Sequence, residues 1–204
     1  MSFTILDKMV HNSHWADSSF NISKADAETR LVFLDDKEWE RHMSMKEAAF
    51  KFIIQNFVFD PNKADDILNG LPFKFPVLCL GYTLMPLAVE LSQWKYPVTL
   101  IINDQRQIKG VNVNSEQYDG QNIETLCYNY YIGVPRSRII VYFDDDPYIE
   151  RKHLADYLRY LKTRCSTLIM GIVDDYDTPN ILSWHKNISY KGDSGPYKLF
   201  ISYD

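Results

Sequence analysis

One segment of the sequence indicates the fold class: Pro76-Val-Leu-Cys-Leu-Gly-Tyr-Thr-Leu-Met-Pro-Leu-Ala-Val-Glu-Leu-Ser-Gln-Trp-Lys-Tyr-Pro-Val-Thr-Leu-Ile-Ile-Asn-Asp104. Val77 to Leu80 and Val98 to Ile102 are short apolar runs typical of buried strands, and a helix-period segment joins them. This pattern predicts a βαβ unit in a parallel sheet, with a turn at Gly81 and a helix ending near residue 95. Ligands bind beyond the carboxyl ends of such strands, so Gly81 and Asp104 are expected to lie at one crevice.

The size and charge of the chain limit what it does. Its 204 residues carry a net charge of −5, and 46% of them are hydrophobic. This length suits one α/β domain, expected at 73–204, preceded by a mainly helical extension at 1–72. The net charge gives no broad basic signature for nucleic acid and leaves only a local basic patch open.

The location of the protein is predicted from its apolar runs and its cysteines. No apolar run approaches the roughly 20 residues that span a bilayer, and the start of the chain lacks a signal-peptide pattern. The three cysteines, Cys79, Cys127 and Cys165, lack the spacing of a metal knuckle or a redox pair. We therefore expect core thiols in a cytoplasmic protein without a membrane segment.

Outward from the βαβ unit, the chain shows further element signals. Ser44-Met-Lys-Glu47 has the form of a capping box and predicts a helix start, and Asp60-Pro61 predicts a second, short helix ending at Gly70. Beyond Asp104 the pattern predicts the following elements: a short helix at 105–111, strands at 123–128, 137–143 and 167–173, a long helix at 149–164, a short helix at 178–184, and a hairpin at 187–202 with its turn at 192–195.

This order of elements resembles the class I S-adenosylmethionine (SAM)-dependent methyltransferase fold over residues 75 to 204. The resemblance implies a mostly parallel Rossmann-like sheet with helices on both faces, a C-terminal antiparallel β-hairpin and a helical N-terminal extension. Val77 to Gly81 is similar to the first motif of that family, a strand that opens into a glycine-containing turn. The resemblance also implies a small-molecule cofactor, SAM, and a transferase activity.

Six residues are implied as cofactor contacts: Leu80, Gly81, Tyr82, Thr83, Asp104 and Asn129. Asp104 matches the acid that holds the ribose hydroxyls in the family, and a carboxylate can accept two hydrogen bonds from a vicinal diol. The helix start beside Gly81 suits the anionic carboxylate of the methionyl part. Asn129 matches by position the polar residue that contacts the adenine amine.

Three residues depart from the family pattern. Cys79 stands where the family has an acid, and Thr83 and Met85 stand where further glycines let the backbone approach the cofactor. Thr83 also suits the N-cap of the following helix. A catalytically silent fold that acts in protein interaction or assembly is therefore the alternative, and the lone glycine argues against a third class, dinucleotide-binding proteins.

Asp145-Asp-Pro-Tyr148 differs by one residue from the Asp-Pro-Pro-Tyr motif of similar amino-methyltransferases. By resemblance, Asp145, Asp146, Pro147 and Tyr148 would orient a planar amine or a nucleic-acid base for methyl transfer. Two other interpretations stay open: Asp146 and Pro147 as the start of a helix, and Asp144 to Asp146 as a divalent-cation site.

Two further groups of polar residues carry less information. The five histidines, His11, His14, His42, His153 and His185, show no zinc or triad spacing, so the sequence indicates neither a zinc site nor a catalytic triad. The acidic run Asp174, Asp175 and Asp177 is expected at the same sheet edge, either lining the crevice or as a solvated loop. Neither the methyl acceptor nor the oligomeric state is specified by the sequence.

Overall fold

Seven strands form one sheet in the computed structural model, which describes residues 36–57, 75–105, 107–118, 123–145, 149, 151–173 and 178–203. The strands are β1 Val77–Leu80, β2 Val98–Ile102, β3 Ile123–Cys127, β4 Ser137–Phe143, β5 Cys165–Val173, β6 Ile188–Ser194 and β7 Tyr197–Ser202. They lie in the order β3-β2-β1-β4-β5-β7-β6. Strands β1 to β5 are parallel, whereas β7 runs antiparallel to both β5 and β6.

Five α-helices and one 3₁₀ turn occur in the described part of the chain. They are α1 Asp36–Asn56, the 3₁₀ turn Tyr82–Leu84, α2 Met85–Gln93, α3 Gln107–Gln117, α4 Arg151–Lys162 and α5 Thr178–Leu182. Side chains alternate across each strand, so the sheet has two apolar faces. Val77 and Cys79 on β1 face the core that includes α1 and α2, whereas Leu78 and Leu80 face the core that includes α4.

The predicted fold class is confirmed. The sheet is mostly parallel, helices cover both faces, and the last two strands form an antiparallel hairpin. The predicted bounds of β1, β2 and β4 agree with the observed strands. The predicted hairpin turn at 192–195 is wrong, because β6 runs on to Ser194 and the turn lies between the two strands at Gly195. Gly192 instead lies at an irregularity in the β6–β7 register.

The predicted helix start at the capping box is wrong. Ser44 and Glu47 lie inside α1, which is already helical at Asp36. Both residues are exposed, and Glu47 pairs with Lys51 on the next turn at 2.7 Å. The Ser-x-x-Glu pattern therefore lies on the solvent face of a longer helix, which the buried Trp39 anchors toward its N-terminal end.

The helix after Asp104 is longer than predicted. It runs from Gln107 to Gln117, although residues 112–117 are mostly polar and turn-prone. Packing explains the extension, because Val111 is buried and Tyr118, just beyond the helix, stacks on Trp39 with ring centroids 3.8 Å apart. The predicted short helix at 61–68 lies outside the described residues.

Helix α1 belongs to the same apolar core as the sheet. Ala49 and Ile53 are fully buried against it. The boundary at residue 72 and the cytoplasmic location stay predictions.

None of the helices in the described residues is both long and apolar enough to cross a lipid bilayer.

Candidate functional site

A crevice is expected where β1 and β4 lie side by side, because the helices that follow these two strands pack on opposite faces of the sheet. The core of α2 lies on one face and the core of α4 on the other. This change of side is the topological switch point of a doubly wound sheet, where ligands bind beyond the carboxyl ends of the strands. Gly81 follows β1 there, and Asp144 and Asp145 follow β4.

Gly81 needs to be glycine at this edge. Its φ is 108° and its ψ is 148°, a backbone conformation that side-chain-bearing residues rarely adopt. A Cβ here would lie 3.4 Å from the Tyr130 hydroxyl oxygen. The Gly81 N–H donates to the Ile101 carbonyl at 2.8 Å, which fixes the turn to the neighbouring strand β2.

Met85 and Thr83, which follow Gly81, differ in their surroundings. Met85 is the first residue of α2 and is fully buried in the apolar core, as is Leu84 before it. Thr83 is not the N-cap, which is Leu84 without a side-chain hydrogen bond. The Thr83 hydroxyl donates instead to Asp145 Oδ2, across the crevice.

Asp145 is the centre of the buried polar cluster in this crevice. Its Oδ2 accepts the hydrogen bond from Thr83 and a second one from Lys46 Nζ at 3.2 Å. The side chains of Lys46 and Asp145 are only 1% and 11% exposed. Asp145 Oδ1 has no hydrogen-bond partner of ordinary geometry among the described residues, although the Tyr197 hydroxyl lies near this carboxylate.

Lys46 reaches this cluster from α1. Its Nζ lies 5.2 Å from the ring centroid of Phe143 and 5.5 Å from that of Tyr197, within the range of cation–π attraction. His42, one turn earlier on α1, places its Nδ1 3.5 Å from the same nitrogen. Burial lowers the pKa of Lys46, and the attraction of Asp145 opposes that shift.

Three side chains, two of them beside the ion pair and one in the turn after β1, are held in their neutral forms. Burial and the charge of Lys46 lower the pKa of His42 to about 4. Burial, followed by the hydrogen bond and charge of Asp145, raises the pKa of Tyr197. Burial, together with the charge of Glu38, raises the pKa of Tyr82 to about 12. The ion pair is therefore bordered by the uncharged His42 and Tyr197, while the charges of Arg41 and Asp144 act on these two groups from further away.

Asp104 and Asn129 lie beyond the ends of β2 and β3, on the other side of β1. Asp104 is half-buried, and its charge adds to burial in raising the pKa of Cys127. The Asn129 side chain is buried; its Oδ1 accepts the Tyr131 N–H at 3.0 Å, and its Nδ2 has no hydrogen-bond partner among the described residues. The free group of Asn129 is therefore a donor.

The structure brings Gly81, Thr83 and Asp145 together and places Asp104 and Asn129 at the next two strand ends. Leu80 closes β1 and is buried, and Tyr82 is half-buried in the following turn. Asp146, Pro147 and Tyr148, like Asp174, Asp175 and Asp177, lie outside the described residues.

Sequence reasoning missed Lys46 and His42. The available signal was their position on the apolar stripe of α1, since Lys46 lies one turn before Ala49 and two turns before Ile53. A lysine on such a stripe needs a partner when the helix packs.

Among the described side chains, Asp144 and Asp145 form ion pairs with different partners. Asp144 binds Arg151, which also donates to the Val173 carbonyl at 2.8 Å. Across the described ranges, no group of three His, Cys, Asp or Glu side chains is placed to hold a metal ion.

This sheet order, with the crevice between β1 and β4, defines the class I SAM-dependent methyltransferase fold. Solved structures with this fold superpose on most of the chain. Magnesium protoporphyrin IX methyltransferase (ChlM) from Synechocystis PCC 6803 with bound SAM superposes with a TM-score of 0.60 and 10% identity, over 89% of this chain and 91% of that one.

Two further structures show the same fold. WbdD superposes with a TM-score of 0.54 and 10% identity over 97% of this chain, which spans about half (46%) of WbdD. Coclaurine N-methyltransferase bound to N-methylheliamine and S-adenosylhomocysteine (SAH) has a TM-score of 0.53 and 12% identity, over 93% of this chain and 65% of that one. No family model matches the sequence, and neither does any curated protein.

Proposed function

We propose that this chain is a SAM-dependent methyltransferase that takes an amine as its acceptor. The proposal rests on the position of the Lys46 amine. The crevice between β1 and β4 already holds a buried nitrogen against Asp145 and beside two aromatic rings.

The residues at the strand ends fit the cofactor. The positive φ of Gly81 leaves backbone without a side chain at the crevice, which suits close approach of a ligand. Asp104 follows β2 with a carboxylate that suits a ribose diol. The unpartnered Nδ2 of Asn129 suits a ring nitrogen of adenine, which accepts a hydrogen bond, better than the adenine amine, which donates one.

The residues around Asp145 fit an amine acceptor. When bound, SAM supplies a methyl group on a positively charged sulfur. Asp145, held by Thr83, accepts a hydrogen bond from the amine and thereby orients its lone pair. Burial excludes water and lowers the pKa of Lys46, although the charge of Asp145 opposes the shift, so an amine held here loses its proton and becomes nucleophilic more readily than an amine in water.

Methyl transfer to a panel of amines tests the proposal. The unaltered chain and Lys46→Ala, which lacks the side chain that fills the acceptor position, are incubated with methyl-labelled SAM and alkyl, aryl and nucleobase amines, and the products are detected by mass spectrometry. We expect at least one amine to be labelled. Asp145→Asn should lower the rate of methyl transfer by about 10²-fold or more, because the acceptor nitrogen is then no longer correctly oriented. Asp193→Asn, an exposed acid on β6, is the matched control.

The silent-fold alternative has its own support. Cys79 replaces an acid on β1, and Lys46 fills the place of an acceptor. Binding of SAM without labelling of any amine would favour that alternative and overturn the proposed activity.

A further inference from the structure

We infer that the pocket formed by Asp145, Phe143, Tyr197 and Thr83 is a binding site for a primary alkylammonium group, and that the protein's own Lys46 occupies it. The inference deepens the proposed function, on which it rests for treating this pocket as the acceptor position. It narrows the acceptor from amines in general to a flexible aliphatic amine, such as a lysine side chain.

The polar groups around Lys46 Nζ are those that an ammonium group needs. Asp145 Oδ2 accepts one of its hydrogen bonds, and His42 Nδ1 lies at 3.5 Å on another side. The Thr83 hydroxyl donates to the same carboxylate oxygen, which keeps the carboxylate facing the nitrogen. An ammonium group has three donors and no acceptor, so an acceptor-rich pocket selects it over a hydroxyl.

The apolar walls suit the alkyl part of the ligand. The rings of Phe143 and Tyr197 flank Nζ, and the faces of aromatic rings attract cations. The whole Lys46 side chain is buried, so the space that leads to Asp145 has the size and shape of its four-carbon alkyl chain. This shape favours an unbranched alkyl chain over a flat ring.

The frame of the pocket does not depend on the Lys46 side chain alone. Toward the C-terminal end of α1, Ile53 is fully buried, and the Tyr96 hydroxyl donates to the Phe57 carbonyl at 3.3 Å. Toward the other end, Trp39 stacks on Tyr118, whose hydroxyl donates to Asp36 Oδ1 at 2.6 Å. Removing the side chain at position 46 should therefore leave a cavity beside α1 while both ends of this helix stay packed.

Propylammonium is the probe, because it replaces the atoms that Lys46→Ala removes. Purified full-length Lys46→Ala is titrated with propylammonium chloride at constant ionic strength, and its melting temperature is recorded. At about five times its Kd, the probe is expected to raise the melting temperature by about 2–4 °C in a saturable manner. Propanol, which has the same length without the charge, should not.

Three control chains localise the effect. The unaltered chain should show no saturable shift, because Lys46 fills the pocket. Lys51→Ala removes an exposed lysine from the same helix and should behave like the unaltered chain. Lys46→Ala/Asp145→Asn should lose the response to propylammonium, because the carboxylate is gone.

An equal response to propylammonium and propanol, or a response that survives Asp145→Asn, would overturn the inference. If Lys46→Ala does not fold alone, its refolding from urea is measured with each additive. Recovery with propylammonium only supports the site, whereas recovery with both or with neither contradicts it.

A separate SAM titration of the unaltered chain distinguishes this inference from the proposed function. Propylammonium binding without SAM binding keeps the ammonium site and removes the methyltransferase activity. SAM binding without a propylammonium response removes the ammonium site and keeps the proposed methyltransferase.

Discussion

Lys46 and Asp145 lie 99 residues apart in sequence and form a nearly dry ion pair. The desolvation of two such charges largely cancels their attraction, so the pair adds little to stability compared with an apolar replacement. Loss of one partner is different, because it leaves an uncompensated buried charge. We therefore interpret the pair as a feature that serves function or favours one packing arrangement, and not as a source of stability.

A double-mutant cycle tests this interpretation. Lys46→Met should lower the free energy of unfolding by about 3–5 kcal/mol, because Asp145 is left charged and buried. Lys46→Met/Asp145→Leu should cost clearly less than the sum of the single changes. Urea unfolding gives the values, and Lys51→Met, on the exposed side of α1, should stay within about 0.5 kcal/mol of the unaltered chain. Additive effects in the double variant would contradict a coupled pair.

His42 makes stability depend on pH. Its pKa falls from 6.5 to about 4 in the folded state, through burial and then Lys46, with Arg41 adding to the shift and Asp145 opposing it. Between pH 6.5 and 4 the unfolded chain binds a proton that the folded chain excludes, so stability is lost as the pH falls through this window.

Replacing His42 by Gln should flatten that dependence. The loss of stability between pH 7 and pH 4.5, measured by urea unfolding, should be smaller in His42→Gln than in the unaltered chain. Identical losses in the two chains would show that His42 does not titrate in this way.

At the level of elements, the strands near the site were predictable and α1 was not. The apolar runs of β1, β2 and β4 are bounded by Pro, Gly or polar residues, and those signals are local. The length of α1 depends on packing against α2, β6 and β7, and the role of Lys46 depends on Phe143 in β4 and Tyr197 in β7. Local sequence encodes neither. The same applies to α3, whose polar last turns are held by contacts of Val111 and Tyr118.

The element that supports the aromatic wall of the pocket is β5. A Cβ at Gly171 would overlap the ring of Phe143, the residue that flanks Lys46 Nζ. Gly171→Ala should therefore destabilise the fold by about 1–3 kcal/mol through overpacking, as measured by urea unfolding. Gly133→Ala is the matched control, because a Cβ there meets nothing within 4 Å. Equal stability of the two variants would contradict the close packing of Phe143.

On the scale of the whole molecule, the order of elements was enough to predict the sheet and the sheet edge at which the candidate site lies. The residues that meet across the crevice could be predicted only in part. The ends of β1 and β4 predict where Gly81, Thr83 and Asp145 lie. Lys46, in contrast, belongs to α1, a helix outside the βαβ unit. That helix joins the same core by tertiary contacts alone.

The C-terminal hairpin completes the sheet, because β7 lies between β5 and β6 and its Leu199 and Ile201 are fully buried. A chain that ends at Gly192 should expose an unpaired edge of β5 and aggregate. Light scattering and thermal unfolding measure this outcome. A truncated chain that stays monomeric and unfolds cooperatively would contradict an integral hairpin.

Calorimetric titration with SAM tests the central claim most directly. We expect the unaltered chain to bind SAM at micromolar concentrations, and Asp104→Ala to bind about 10- to 150-fold more weakly, since a hydrogen bond to a charged group contributes about 1.5–3 kcal/mol. Asp156→Ala, which removes a partly exposed acid on α4 that pairs with Arg159, should bind as the unaltered chain does. Absence of SAM binding by the folded, unaltered chain would contradict the claim, and equal affinity of Asp104→Ala would contradict the place assigned to the ribose.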